Sequence, residues 1–291
     1  MKKIRFGKTD LMVSEVALGG IPIMRRTMED AVAVVRGAIE LGINFIDTAY
    51  GYADSEEKIG QAIRGYARGE LIIASKSPAT DKKGFLEQLE TTLKRLGTNY
   101  VDIYQHHGVN SQEKREAVFG PDGAYEGMKE GVADGRIRHP AFSSHNIPIA
   151  MEIMKTGLFE AVQIPFNFVD ETAAEEIIPL AQELDMGFIA MKPLGGGMLE
   201  NAEPCFKYLM QFDGIVPDPG IEKLEEIQEI VKLYDNRAKL TEADKAQMQA
   251  LRDELGNSWC HRCDYCQPCP EGIRISAILP AKGSVRRMTK E

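Results

Sequence analysis

The chain has no run approaching the ~18 consecutive apolar residues of a membrane span, and its amino terminus, MKKIRFGKTD, lacks the apolar stretch of a secretion signal. Membrane insertion is not expected, and a cytoplasmic protein is. Basic charge is in short supply. The 35 Lys and Arg face 44 Asp and Glu, a net charge of −9, which speaks against a broad polyanion-binding surface and so against nucleic acid as a partner. Cysteine is scarce too: of five, four (Cys260, Cys263, Cys266, Cys269) are crowded together near the carboxyl terminus. That crowding excludes a disulfide framework spread through a small secreted domain and points to metal binding. Cys205, the fifth, reads as an ordinary semi-buried thiol. Also missing is a GxGxxG after the first strand-like run; the comparable glycine run, Gly195 to Gly197, comes far later, which counts against a doubly wound dinucleotide-binding sheet.

What is present is an alternation. Short apolar runs (Val16 onward, Ile43 to Ala49, LIIASK to Lys76, YVDIYQHH to His107, Ile137 to Ser144, Ala161 to Asn167, Gly187 to Pro193, GIVPDPG) alternate with stretches of helical periodicity. The helical stretches are Met28 to Leu41, after Ser55, Phe85 to Leu96, around Tyr125 to Ala133, Ile147 to Lys155, Ala173 to Leu184, Pro204 to Phe212 and Lys223 to Leu233. Eight βα units in 291 residues predict a parallel (β/α)8 barrel, with a Rossmann-type sheet as runner-up. Glycines at 42, 69, 97, 135, 157 and 187 are expected to end helices in left-handed caps. The barrel is assigned to residues 1–236. Residues 237–291 form an extension: one polar helix, LTEADKAQMQALRDELG, opened by Thr241 as N-cap with Asp244 three residues on, and then the cysteines.

Barrel enzymes carry their chemistry on loops beyond the carboxyl ends of the strands. Here those ends present Asp47 with Tyr52 five residues on, then Lys76, His107, the run Ser143, Ser144, His145 and Asn146, then Gln163 and Asn167, and Lys192. Singly, each has a plainer explanation: an Asp after a strand is often a helix cap, a rim Tyr packs, a Lys is solvated. A carboxylate, a phenol, an ammonium and an imidazole on successive strand ends are costly together unless they use one another. Such a quartet suits proton delivery to an oxygen gaining negative charge. Tyr52 is then the general acid, Lys76 its electrostatic activator, Asp47 the anchor of Lys76, and His107 the donor that orients the oxygen.

The segments FIDTAYGYADSEEKIG, IIASK, VDIYQHH, QIPFN and KPLGGG resemble the aldo-keto reductases, nicotinamide-dependent carbonyl reductases on a (β/α)8 barrel, over about Val16 to Leu233. The resemblance implies reversible hydride transfer between a nicotinamide cofactor and a small aldehyde, ketone or alcohol. It selects His107 over His106, which faces the other way along its strand. It places the nicotinamide carboxamide against Ser143, Ser144 and Gln163, with Asn146 an alternative because the usual Ser-Asn pair is here Ser-Ser followed by His145 and Asn146. Met191 stands where a stacking tyrosine is common, and Lys192, Pro193, Leu194, Gly195 and Gly197 form the loop that lets backbone approach the pyrophosphate. After Gly220, Glu222 occupies the region where an arginine would greet a 2′-phosphate, so NAD is favoured over NADP, with Lys223 the contrary sign.

The run CxxCxxCxxCP from Cys260 to Pro270 closely parallels the ferredoxin motif, with structural zinc as the alternative. Cys260, Cys263, Cys266 and Cys269 are therefore the candidate ligands of an iron-sulfur cluster of the 4Fe-4S kind, Cys269 being the one that could serve another cluster. Some aldo-keto reductases resemble the chain here too, so an iron-sulfur branch of the family is expected, with a redox partner protein in view. The competing function classes are an electron-transfer or redox-sensing module on a cofactor-binding barrel, and a subunit that retains nucleotide without turnover.

Overall fold

The computed structural model describes residues 1–256, 259, 260, 266, 269–273, 275–279 and 281. An antiparallel hairpin, β1 (Lys3–Arg5) and β2 (Met12–Ser14), precedes eight parallel strands: β3 (Leu18–Gly19), β4 (Phe45–Asp47), β5 (Ile72–Ser77), β6 (Val101–His106), β7 (Ile137–Ser143), β8 (Ala161–Pro165), β9 (Gly187–Met191) and β10 (Ile215–Asp218). Neighbours in space are neighbours in sequence, as right-handed crossovers require. The seam between the first and last strands is closed by backbone bonds: Ala17 N–H donates to Pro217 O (2.9 Å), Gly19 N–H to Pro219 O (2.8 Å) and Ile221 N–H to Gly19 O (3.1 Å). The expected (β/α)8 barrel is therefore the observed one.

The outer layer comprises α1 (Met28–Glu40), α2 (Ser55–Ala62), α3 (Lys82–Leu96), α4 (Gln112–Phe119), α5 (Ala124–Ala133), α6 (Ile147–Met154), α7 (Thr172–Glu175), α8 (Ile177–Glu183), α9 (Ala202–Leu209) and α10 (Leu224–Asp235). Then come α11 (Glu242–Leu255) and α12 (Ile275–Ile278). The cap expected at Thr241 is present, with its side chain accepting from Asp244 N–H and Asp244 returning a bond to the Thr241 N–H. The helix expected over Ala173 to Leu184 is broken at Glu176. Pro179 has no N–H to give an uninterrupted helix and falls instead in the first turn of α8, where none is required. Left-handed backbone occurs at Gly42, Gly97, Gly135 and Gly157 as expected; Gly69 sits in a 3-10 turn and Gly187 opens β9, and the positive φ falls on Gly65 and Asp185 instead. Among the described residues no helix is long and apolar enough to cross a membrane.

Two apolar regions hold the barrel. One lies between sheet and helices. The other fills the interior, where the hairpin lays Phe6 and Val13 against Phe45, Ala74, Ile103, Ala141, Ala161, Ile189 and Val216, all at most 1% exposed. Phe6 meets Phe45 edge to face at 5.5 Å. Barrel interiors are built in layers of four side chains from alternate strands, and strand side chains repeat every second residue. Phe45, Ile103, Ala161 and Val216 belong to β4, β6, β8 and β10, and the next inward positions on those strands are Asp47, Gln105, Gln163 and Asp218. The barrel thus changes from an apolar interior to a polar one in a single step, and the site stands on that step.

Candidate active site

Asp47, Gln105, Gln163 and Asp218 are 2%, 0%, 2% and 8% exposed, so their polar atoms must satisfy one another. Gln163 Nε2 donates to Asp218 Oδ2 at 2.8 Å and lies 3.4 Å from Asp47 Oδ2, and Gln105 Nε2 reaches Asp47 Oδ1 at 3.4 Å. Lys76, from β5, donates to Asp47 Oδ2 at 2.5 Å and to Thr48 O at 2.6 Å. Burial alone would lower the lysine's pKa, but the Asp47 carboxylate bonded to it holds it above the usual value, so it is a fixed cation. Removing Asp47 would leave a buried charge without its partner.

Tyr52 lies on the loop between β4 and α2, half-buried, with Lys76 Nζ 5.4 Å from its ring centre and the His107 ring edge to face at 5.8 Å. The four residues singled out by the sequence are therefore brought together. The loop is pinned from both sides by residues that reading passed over. Glu56, fully buried in α2, accepts from Ser75 Oγ (2.7 Å), Thr92 Oγ1 (2.8 Å) and Arg95 Nη1 (3.2 Å), and Arg95 also donates to Tyr50 O (3.1 Å). Lys58 donates to Ile23 O and Met24 O, tying α2 to the loop after β3. Burial, then the nearby Lys76 and Lys114 charges, push the His107 imidazole down to about 3, so it is neutral at physiological pH and serves as a hydrogen-bonding group rather than an ion. His106 points the other way, as expected, into rings of Phe85 (5.0 Å) and Phe159 (5.9 Å), where burial likewise pushes it down to about 3.

A cavity of about 360 Å³ opens beside this quartet at the carboxyl ends of the strands. Of the residues expected to meet a cofactor, Gln163, Met191, Lys192, Pro193, Leu194, Gly197, Gly220 and Glu222 line it, together with Asp47 and Tyr52. Gln163 Oε1 is buried and has no hydrogen-bond partner, which suits an acceptor awaiting a carboxamide N–H. Ser143, Ser144, Asn146 and Gly195 are not among the lining residues. Ser143 Oγ accepts from Gly108 N–H (2.9 Å), Ser144 Oγ donates to Val109 O (2.7 Å), and Asn146 caps α6 by accepting from Ile149 N–H. Lys192 is left-handed at φ 58° and its ammonium lies 2.9 Å from His145 Nε2, a strained non-glycine residue of the kind that gathers at functional sites.

Glu222 is paired with Arg25 Nη2 at 2.5 Å, and both line the cavity. Arg25 went unnoticed in the sequence because it lies 197 positions away. The acid read as repelling a 2′-phosphate therefore has a guanidinium beside it.

The extension reaches the same face. Arg252 donates to Phe168 O (2.9 and 2.6 Å) and to Glu171 (2.7 Å), and Trp259 Nε1 donates to Asp170 Oδ1 (3.0 Å). The Trp259 ring sits so close to Gly195 that a Cβ there would fall 2.6 Å from it. Just beyond, Cys263 lies outside the described residues, and Cys260, Cys266 and Cys269 take part in no group of three or more His, Cys, Asp or Glu able to hold a metal among the described residues. No step is routed through a cluster. Cys205 is buried, its Sγ against Asn201 O, and burial pushes its thiol up to about 12, as befits a structural thiol.

Comparison with known proteins agrees with this geometry. The family model described as "Aldo/keto reductase family" matches residues 15–204. An "Uncharacterized oxidoreductase YqkF" of Bacillus subtilis is 30% identical over 213 residues, 68% of this chain and 67% of that protein. The "Aldo-keto reductase YhdN" of the same organism is 28% identical over 77% of this chain and 70% of its own. Among solved structures, the holo form of an aldo-keto reductase from Bacillus halodurans superposes with a TM-score of 0.73 at 23% identity, covering 86% of this chain and 96% of that one. An aldo-keto reductase from Klebsiella pneumoniae in complex with NADPH superposes at 0.71 and 24%, covering 86% and 94%. The chain belongs to the aldo/keto reductase family of NAD(P)-dependent oxidoreductases.

Proposed function

We propose that the protein reduces a small aldehyde or ketone to the alcohol, reversibly, with Tyr52 as the proton donor. The observation that carries this reading is Lys76: a buried cation bound to Asp47 on one side and facing the Tyr52 ring on the other. A nicotinamide cofactor supplies and accepts hydride when bound, and the residues of the chain do the rest. Tyr52 Oη gives its proton to the substrate oxygen, the Lys76 charge stabilises the phenolate left behind, and Asp47 keeps Lys76 charged and in place. His107, neutral, donates to the same oxygen and fixes its direction. Gln163 would hold the carboxamide, with Ser143, Ser144 or Asn146 as the further contact, and the Lys192 to Gly197 loop would hold the pyrophosphate.

Either NAD or NADP fits. Glu222 favours a free ribose hydroxyl, whereas Arg25 and the NADPH carried by the Klebsiella pneumoniae relative favour the phosphate. Tyr52→Phe tests the reading: carbonyl turnover falls by about 10²–10⁴ while cofactor affinity stays within about twofold, and a variant with full activity ends it.

We further propose that residues 1–236 form the reductase and that residues 237–291 carry an iron-sulfur cluster on Cys260, Cys263, Cys266 and Cys269, with electrons passing to a partner protein. Iron and acid-labile sulfide in anaerobically purified protein test this, and their absence removes it.

A further inference from the structure

Four of the five buried acids among the described residues have a cation: Asp47 has Lys76, Glu56 has Arg95, Asp102 has Arg68 and Arg138, and Asp244 has Lys207. Asp218, which ends β10, has none within ion-pair distance among those residues. Its Oδ2 accepts from Gln163 Nε2, and its Oδ1 is buried without a hydrogen-bond partner. A second carboxylate beside Asp47, buried and without a cation of its own, is costly to keep ionised, and a proton removes that cost.

We propose that Asp218 holds a proton in this layer, so that the two acids carry one negative charge between them and Lys76 balances it one to one. The charged or titratable groups facing Asp218 are Asp47 from β4 and Lys76 from β5. β3 contributes Gly19, β8 Gln163 and β9 Met191, none of which titrates, and Tyr52, Arg25, Glu200, Glu222, Glu226 and Glu229 line the same cleft. Burial first, and then the charge of Asp47, raise the Asp218 carboxyl well above the usual carboxylate range, and the pull of Lys76 only partly offsets them.

The role follows from the order of the groups. With Asp218 neutral, Lys76 faces one negative charge in this layer rather than two, and its field at Tyr52 is the stronger for it. When Asp218 loses its proton, a second negative charge draws on the same ammonium, and the phenolate is stabilised less. Asp218 is thus a positioning residue, setting the charge seen by the acid without touching the substrate. This rests on the assignment of Tyr52 as acid.

The test is infrared difference spectroscopy, which needs no turnover. Wild-type protein at neutral pH is expected to show the carbonyl stretch of a buried protonated carboxylic acid, shifted by deuterium exchange and by carbon-13 labelling of aspartate. Asp218→Asn is expected to lose it. No such band in the wild type, a band insensitive to aspartate labelling, or one that persists in D218N each overturns the proposal. The wild-type and labelling arms stand even where D218N does not fold. A Tyr52→Phe enzyme that stays active and keeps the band removes Tyr52 as the acid and leaves the Asp218 proton in place, so the two fail separately.

Discussion

The two neighbouring interior layers of the barrel come from the same four strands, two residues apart, and do opposite work. The side chains of Phe45, Ile103, Ala161 and Val216 fill space and make no polar contact, while Asp47, Gln105, Gln163 and Asp218 bond to one another and to Lys76 and leave Gln105 Oε1, Gln163 Oε1 and Asp218 Oδ1 unpaired. The lower layer gains free energy by leaving water; the upper one is tolerated because Lys76 pairs with Asp47 and the amides bond to the two acids. Rigidity and reactivity are thus separated by one strand repeat, and the comparison predicts different responses to mutation.

The largest effect on stability is expected in the lower layer. Phe45→Ala removes a ring that is fully buried and touches Phe6, and is expected to cost about 3–5 kcal/mol. Urea unfolding is to show this as a lower midpoint at unchanged slope. A loss below about 1 kcal/mol would mean the interior can collapse around the gap, and the lower layer would no longer be the rigid one.

In the upper layer the expected response depends on pH. The folded-state pKa of Asp218 is raised, so between the unfolded aspartate value of about 3.9 and that raised value the native state binds more protons than the unfolded chain. Its contribution is fully present below the unfolded value and is lost as pH rises through the folded one. Relative to Asp218→Asn, wild-type stability is therefore expected to decline with rising pH, by up to about 1.4 kcal/mol per unit in that window. Denaturant midpoints of both proteins from pH 4 upward measure the difference. A flat difference would place the ionised acid in the folded state and make the upper layer a conventional ion-pair network.

The same two layers explain how much was legible in the sequence. The alternation of apolar runs with helical periodicity gave the barrel, because each barrel strand, even the short β3 and β4, lies inside a longer apolar run, and helices such as α1 have a distinct buried face. Asp47, Lys76 and His107 were legible because they end such runs. The hairpin was not, since Lys3–Arg5 and Met12–Ser14 are short and lie in no apolar run, nor was α4, whose only buried residue is Val118. Asp218 ends the last strand at the same step beyond Val216 as Asp47 beyond Phe45. That equivalence shows only when the inward faces of all four alternate strands are aligned. Glu56 looked like one more acid on a charged helix, and Trp259 and Arg25 act through contacts that no local pattern encodes.

The smallest expected effect lies furthest from both layers, at the rim, and tests whether the paired logic of the upper layer extends there. The Arg25 and Glu222 side chains are 22% and 28% exposed, so water screens them and the pair is worth roughly 1 kcal/mol or less. Glu222→Gln removes a negative charge from beside the Arg25 guanidinium at the end of the cleft, so the ratio of NADPH to NADH affinity is expected to rise by about fivefold, the equivalent of 1 kcal/mol. Arg25→Gln is expected to move the ratio the other way. Calorimetric titration of each variant with both cofactors gives the two signs. Opposite signs mean the pair reads the ribose through its charges. Equal signs mean it acts as a mechanical tie between the loops after β3 and β10, and specificity would then have to come from neutral contacts in the same cleft.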